Sequence, residues 1–283
     1  MKVKDFFFSY SQTLSFEVEK KSYFKAFRKC IYFPYKFIVN QIKIFLSIDK
    51  KKIDNNLINK NESINNLFIK FKSDKASLIE YKGKIIQGHN YSPFYEKYLN
   101  KYKQKENLKI LEIGTLRGGA AASLYQYFLN PLIYCLDVNP FQTYIHSKDI
   151  RNIYCNTRSK KNINNVAKYL KYDFDIIIDD GSHNVKDQIL TLKTFLPKLK
   201  KGGTYVIEDI TQYKVFPELN SDGLKYGAET FLETIHSKDV KIPECISNEE
   251  FEDIKKNIKE VHFERGECVY QNINISDIAF IEK

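Results

Sequence analysis

The chain is 283 residues long, 43% hydrophobic and 28% charged, with a formal net charge of +10. That length and apolar content argue against global disorder and suffice for one large domain or a domain with an extension. Five cysteines (Cys30, Cys135, Cys155, Cys245, Cys268) without CxxC spacing argue against a disulfide framework or zinc knuckle and favour a reducing compartment.

The amino terminus, Met-Lys-Val-Lys-Asp-Phe-Phe-Phe, carries an acidic residue and lacks the apolar core and cleavage site of a signal peptide. No run of about 18 uncharged apolar residues occurs, so a cytoplasmic protein is expected, with peripheral contact at the inner membrane face left open. The basic excess lies in the amino-terminal third: residues 1–106 hold 22 Lys+Arg against 10 Asp+Glu, and the remainder 23 against 25. The shift near Gln104–Asn107 marks the start of a core domain, 107–283. A softer boundary within Lys50–Asn66 separates a basic, aromatic-rich extension (1–66) from a segment (67–106) that leads into the core.

In the extension, Phe24, Phe27, Ile31, Tyr35, Ile38, Ile42 and Phe45 recur at spacings of three and four, interleaved with Lys25, Arg28, Lys29, Lys36 and Lys43. This is an amphipathic helical stripe, broken or kinked at Pro34. It fits helices packed on the core or on a second subunit, as in a homo-oligomer. It also fits a helix over residues 20–48 lying on an anionic membrane surface. Basic charge is the footprint of nucleic-acid binding too, but no nucleic-acid motif accompanies it and no nucleic-acid partner is expected.

Leu108 to Ser123 reads as a strand, a tight turn and a helix. Gly114 can take a positive φ, and Gly118 and Gly119 allow backbone to approach a ligand. The spacing is not GxGxxG, yet the next strand ends at Asp137, where an acidic side chain can accept from ribose hydroxyls. Strands are expected over 109–113, 132–137, 151–155, 174–179, 203–208, 259–266 and 276–282. Helices are expected over 119–129, 161–171, 184–198, 224–236 and 247–257. The alternation predicts an α/β fold with a doubly wound, mostly parallel seven-stranded sheet and an antiparallel edge.

Two buried-type runs end in acids: Phe174-Asp-Ile-Ile-Ile-Asp-Asp-Gly-Ser-His183 and Tyr205-Val-Ile-Glu-Asp209. Ligands of open α/β sheets bind beyond the carboxyl ends of the strands. Asp179, Asp180, His183, Glu208 and Asp209 would therefore share one crevice, a cage for a hard divalent cation with an imidazole beside it. Singly, each has a plainer explanation: His183, Ser182 or Asn184 could cap the next helix, and Asp179 could hold a backbone amide. His89 and Tyr91 are candidate substrate contacts, with a packing role equally open.

Leu-Glu-Ile-Gly-Thr (111–115), Asp137 and the strand order resemble class I S-adenosylmethionine-dependent methyltransferases. Asp-Asp-Gly-Ser-His (179–183) with Glu-Asp (208–209) is more particular. It resembles the metal-dependent sugar O-methyltransferases of macrolide biosynthesis (mycinamicin and tylosin type) and their cephalosporin-hydroxylase-like relatives. Ser73-Asp-Lys75 and His89–Tyr95 resemble the segment that precedes the core in that group, which would make 67–106 an acceptor- and cofactor-covering segment.

The resemblance implies Asp180, Glu208 and Asp209 as ligands of Mg²⁺ (or Mn²⁺) and His183 as general base. It implies Glu112, Gly114, Thr115, Gly118, Asp137 and Asp179 as contacts of S-adenosylmethionine. Relatives often carry Gly-Asp-Gln after the third strand, whereas this chain has Cys155-Asn-Thr-Arg158, which leaves Asn156 as the cofactor contact there. The implied activity is methyl transfer to a sugar hydroxyl of a cell-surface polysaccharide precursor or other glycoside. The rival expectations are another small acceptor, such as a phosphate or phosphoramidate group, and a scaffold without turnover that binds membrane or glycan.

Overall fold

Seven β-rich runs pair into one sheet in the computed structural model, which describes residues 2–46, 51–53, 62–81 and 83–283. They are β1 (Lys109–Ile113), β2 (Leu132–Asp137), β3 (Ile150–Tyr154), β4 (Phe174–Asp179), β5 (Leu199–Ile207), β6 (Glu260–Arg265) and β7 (Asp277–Glu282). Their order is β6-β7-β5-β4-β1-β2-β3. The five strands from β3 to β5 run parallel, and β7 is inserted antiparallel between β5 and β6. The order reverses between β1 and β4, so the crevice at a topological switch point opens beyond Ile113 and Asp179.

Strand side chains alternate between two cores, as the period of two requires. Ile110, Ile133, Ile176, Ile178, Val206 and Phe280 meet α3 (Ile64–Lys70), α4 (Ser92–Leu99) and α5 (Gly119–Tyr127) on one face. Leu111, Ile113, Leu136, Ile177, Ile207 and Ile281 meet α6 (Lys160–Tyr169), α7 (Val185–Phe195), α8 (Ala228–Thr234) and α9 (Asn248–Asn257) on the other. Both faces are covered, which is why β1 and β4 carry adjacent apolar residues (Ile110-Leu111, Ile176-Ile177-Ile178) rather than a strict alternation.

The amino-terminal residues form α1 (Val3–Glu19) and α2 (Tyr23–Phe45). Helix α1 lies along the free edge of β3. There Ser9 Oγ accepts from the Tyr154 amide at 2.9 Å, and Asp5 forms a buried ion pair with Arg151. Tyr169 also donates to Asp5, at 2.7 Å. An exposed parallel edge is thereby closed to strand addition. Helix α2 packs on α1 through Phe33 and Phe37, whose rings lie 4.9 and 4.6 Å from that of Phe6.

Several expectations need correction. Of the break or kink expected at Pro34 the break is absent, since α2 runs through that residue. The helix expected over 224–236 is confined to Ala228–Thr234, because Gly223 takes φ +67° and Gly227 is extended. Strand β5 starts at Leu199, not 203, and reaches Phe174 across a register irregularity. The hairpin Leu78–Tyr81/Lys84–Gln87 went unread, as did the ribbon Val269–Tyr270/Ile273–Asn274. The soft boundary expected within 50–66 falls mostly outside the described residues.

Candidate active site

The glycine turn after β1 owes its shape to a close backbone crossing. Gly114 adopts φ +87°, and a Cβ there would stand 1.7 Å from the Asp180 carbonyl oxygen. No side chain fits, so only glycine lets the ends of β1 and β4 meet at the switch point. Gly118 and Gly119 are each hemmed in on the side a Cβ would occupy. A Cβ would meet the Thr143 methyl at Gly118 and the Phe71 carbonyl at Gly119, so both positions require glycine for close packing within the chain. Asp137, at the end of β2, accepts from the amides of Leu116 (2.8 Å) and Asn139 (2.7 Å), which holds the turn against the second strand.

Glu112 is fully buried, and burial pushes its carboxyl up to about 7. The Thr115 hydroxyl neighbours Glu112 and Cys135. Asn156 accepts from the Arg158 amide at 3.1 Å, and its own amide donates to Asn162. Asp179 is likewise committed within the chain: Thr191 donates to it, the Gly181 amide lies at 3.3 Å, and burial raises its carboxyl to about 7.

Beyond the strands the remaining acids converge. Ligand-type atoms of Asp180, His183 and Asp209 lie within 4.8 Å of one another. His183 Nε2 is 3.7 Å from an oxygen of Asp180 and 3.7 Å from one of Asp209, while its buried Nδ1 has no hydrogen-bond partner among the described residues. His183 and Asp209 both hold φ +54°, a conformation that side-chain-bearing residues rarely adopt and that clusters at functional sites. The next helix does not need His183 as a cap. Asn184 Oδ1 accepts from the amides of Lys186 and Asp187 instead.

Glu208 lies outside that group, fully buried, accepting from Tyr95 and from Lys75 Nζ at 2.7 Å. Lys75 also pairs with Asp180. Burial alone would lower the Lys75 pKa, but Asp180 and Glu208 outweigh it and hold it well above its ordinary value. Asp209 accepts from Tyr91 at 2.6 Å and lies 3.2 Å from His89 Nδ1. Despite burial, the Asp209 carboxyl is held low by His89, and His89 in turn is raised to about 9. Burial pushes the Asp180 and Glu208 carboxyls up against the pull of Lys75, so three acidic groups share two cationic partners, Lys75 and His89.

The model of the FtsJ-like methyltransferase family matches residues 95–273. The chain belongs to that family. The chain is 28% identical over 130 residues to a mycinamicin VI 2''-O-methyltransferase of Micromonospora griseorubida, covering 43% of this chain and 32% of that one. A demethylmacrocin O-methyltransferase of Streptomyces fradiae gives the same identity and coverage. The chain thus spans about a third of the length of these relatives.

Among solved structures, the MycE methyltransferase from the mycinamycin biosynthetic pathway, in complex with Mg and SAH, superposes with a TM-score of 0.56 at 22% identity. That superposition covers 78% of this chain and 54% of the other, and it speaks for the fold.

In this FtsJ-like methyltransferase, reading the sequence missed the part Lys75 plays. Its motif, Ser73-Asp-Lys75, was visible, but a lysine in a chain with 45 Lys+Arg carries no signal of burial. His89 and Tyr91 reach the crevice by gripping Asp209.

Proposed function

We propose that this chain is an S-adenosylmethionine-dependent O-methyltransferase that works with Mg²⁺, or Mn²⁺ in its place, and acts on a sugar hydroxyl of a glycan or glycoside. The observation that carries the reading is the convergence of Asp180, His183 and Asp209 beside the Gly114 turn, in a chain of a methyltransferase family. Relatives named as O-methyltransferases of mycinamicin VI and demethylmacrocin support transfer to oxygen, and another named for a rhamnosyl tetracenomycin supports a sugar acceptor. In this reading the extension 1–66, the covering segment 67–106 and the core 107–283 divide the work of positioning, enclosing and reacting.

The residues present suit a hard divalent cation. Asp180 and Asp209 offer carboxylate oxygens and His183 an imidazole nitrogen, and no thiolate stands among them. Asp180, Asp209 and Glu208 would hold it, with Lys75 pairing Asp180 and Glu208 and His89 pairing Asp209. Bound there, the cation would supply the acidity that an alcohol lacks at neutral pH. His183 would take the acceptor proton at Nε2, the nitrogen that faces the acids. Glu112, Gly114, Thr115, Gly118, Asp137, Asn156 and Asp179, at or just beyond the ends of β1, β2, β3 and β4, would contact the cofactor.

Incubation with methyl-labelled cofactor and a panel of free, nucleotide-linked and glycosidic sugars tests the acceptor class. Label in a methyl ether of a sugar is expected. Label found only in phosphate-type acceptors would move the reading to the other acceptor class.

The charge balance makes a separate prediction. Lys75→Met leaves Asp180 and Glu208 together without their buried cation, which is expected to cost about 3–5 kcal/mol. Thermal unfolding should show this as a lowered Tm, and millimolar Mg²⁺ should return part of it by binding the folded state. An unchanged Tm would mean that Lys75 balances nothing.

A further inference from the structure

Helix α2 turns its most apolar face to solvent. Phe24, Phe27, Ile31, Tyr35, Ile38, Ile42 and Phe45 range from 49% exposed at Ile42 to 87% at Phe45. At 100° per residue these seven fall within an arc of about 80°, while Ala26, Phe33, Phe37 and Asn40 face α1 or are buried. A continuous apolar strip of this size on a folded chain marks an interaction surface.

Charge decides what covers it. Residues 20–48 contain seven basic residues (Lys20, Lys21, Lys25, Arg28, Lys29, Lys36, Lys43) and no Asp or Glu. Lys25, Arg28 and Lys36 are exposed and follow one flank of the strip. A second copy joined through the same helix would set this cationic flank against itself, with no acidic partner of the kind that lines paired helices. An anionic lipid surface meets both halves of the pattern: phospholipid headgroups take the lysines, and the aromatic and branched side chains enter the acyl boundary. Tyr23, Tyr32 and Tyr35, all exposed, have the apolar body and polar tip suited to that depth. No described helix is long and apolar enough to cross a membrane, so the helix would lie in the interface.

We propose that α2 is a docking surface that seats the protein on an anionic phospholipid bilayer. Helix α1, clamped to the β3 edge by Asp5–Arg151 and Ser9–Tyr154, fixes the core relative to that plane. The proposal does not depend on the catalytic reading, because its test reads binding alone.

The test is co-sedimentation of the full chain with phosphatidylcholine vesicles and with vesicles containing phosphatidylglycerol. Binding is expected only to the anionic vesicles and should weaken as salt rises, since screening at 0.1 M already acts within about 10 Å. Phe24→Ser/Ile31→Ser/Ile38→Ser and Lys25→Glu/Arg28→Glu/Lys36→Glu should each reduce it at least tenfold. These side chains are exposed, so circular dichroism melts should match the wild type. Absence of the wild type from the anionic pellet overturns the proposal. So does equal binding by the Ser variant. A solution dimer that the Ser variant dissociates, with no vesicle binding, assigns the strip to a second copy.

Discussion

His183→Ala is expected to lower the rate of methyl transfer by about 10²–10⁴-fold, the usual worth of a positioned general base. Metal and cofactor affinity should stay close to wild type. The reasons are geometric. Nε2 stands 3.7 Å from both Asp180 and Asp209, near enough to serve an acceptor held by those acids. The side chain caps no helix, and its Nδ1 has no hydrogen-bond partner among the described residues, so removing the ring leaves the framework of the turn in place. Single-turnover assays with labelled cofactor, alongside calorimetric titration of Mg²⁺, separate the two roles open to this residue. A variant that loses metal affinity as well would make His183 a ligand rather than a base, and a near-normal rate would remove it from the chemistry.

A second large effect is expected at Asp209. Chelation should abolish turnover, and Mg²⁺ or Mn²⁺ should restore it, since both accept oxygen-rich sites. Asp209→Asn should weaken activation by metal at least about 100-fold, beyond the 10–100-fold typical of groups that only orient a ligand. The amide keeps one oxygen for Tyr91, so the fold around the site should survive. Activity titrated against metal concentration, with cofactor binding measured on the same preparations, reads this directly. Full activity in excess chelator would dismiss the metal from the mechanism.

The central strands were legible because burial on both faces leaves one simple mark. Ile-Leu-Glu-Ile and Phe-Asp-Ile-Ile-Ile are short branched runs stopped by glycine or acid, and β1, β2 and β4 fall on their expected bounds. Acids placed at strand ends were legible for the same reason, since the register of β4 beside β5 brings Asp180 and Asp209 to one edge.

What was not legible depends on long-range pairing. Asp179 and Asp180 are adjacent in sequence, yet one turns to Thr191 on α7 and the other to Lys75. No local pattern distinguishes them. The helical period of α2 was plain, but period alone cannot say which stripe faces inward. The side buried against α1 proved to be that of Phe33 and Phe37, not the longer stripe. Nor does the sequence show that the Phe71 carbonyl, just past the end of α3, packs against Gly119.

Calorimetric titration of the wild-type chain with S-adenosylmethionine tests the central claim most directly, because it needs neither the acceptor nor the base. One saturable binding event is expected. Asp137→Ala should weaken it by roughly 1.5–3 kcal/mol, the cost of losing hydrogen bonds to a charged group. That loss includes the support which Asp137 gives to the Leu116 and Asn139 amides of the same turn. No heat with S-adenosylmethionine or with its demethylated product, or preferential binding of a nicotinamide cofactor, would contradict the assignment of this crevice to methyl transfer.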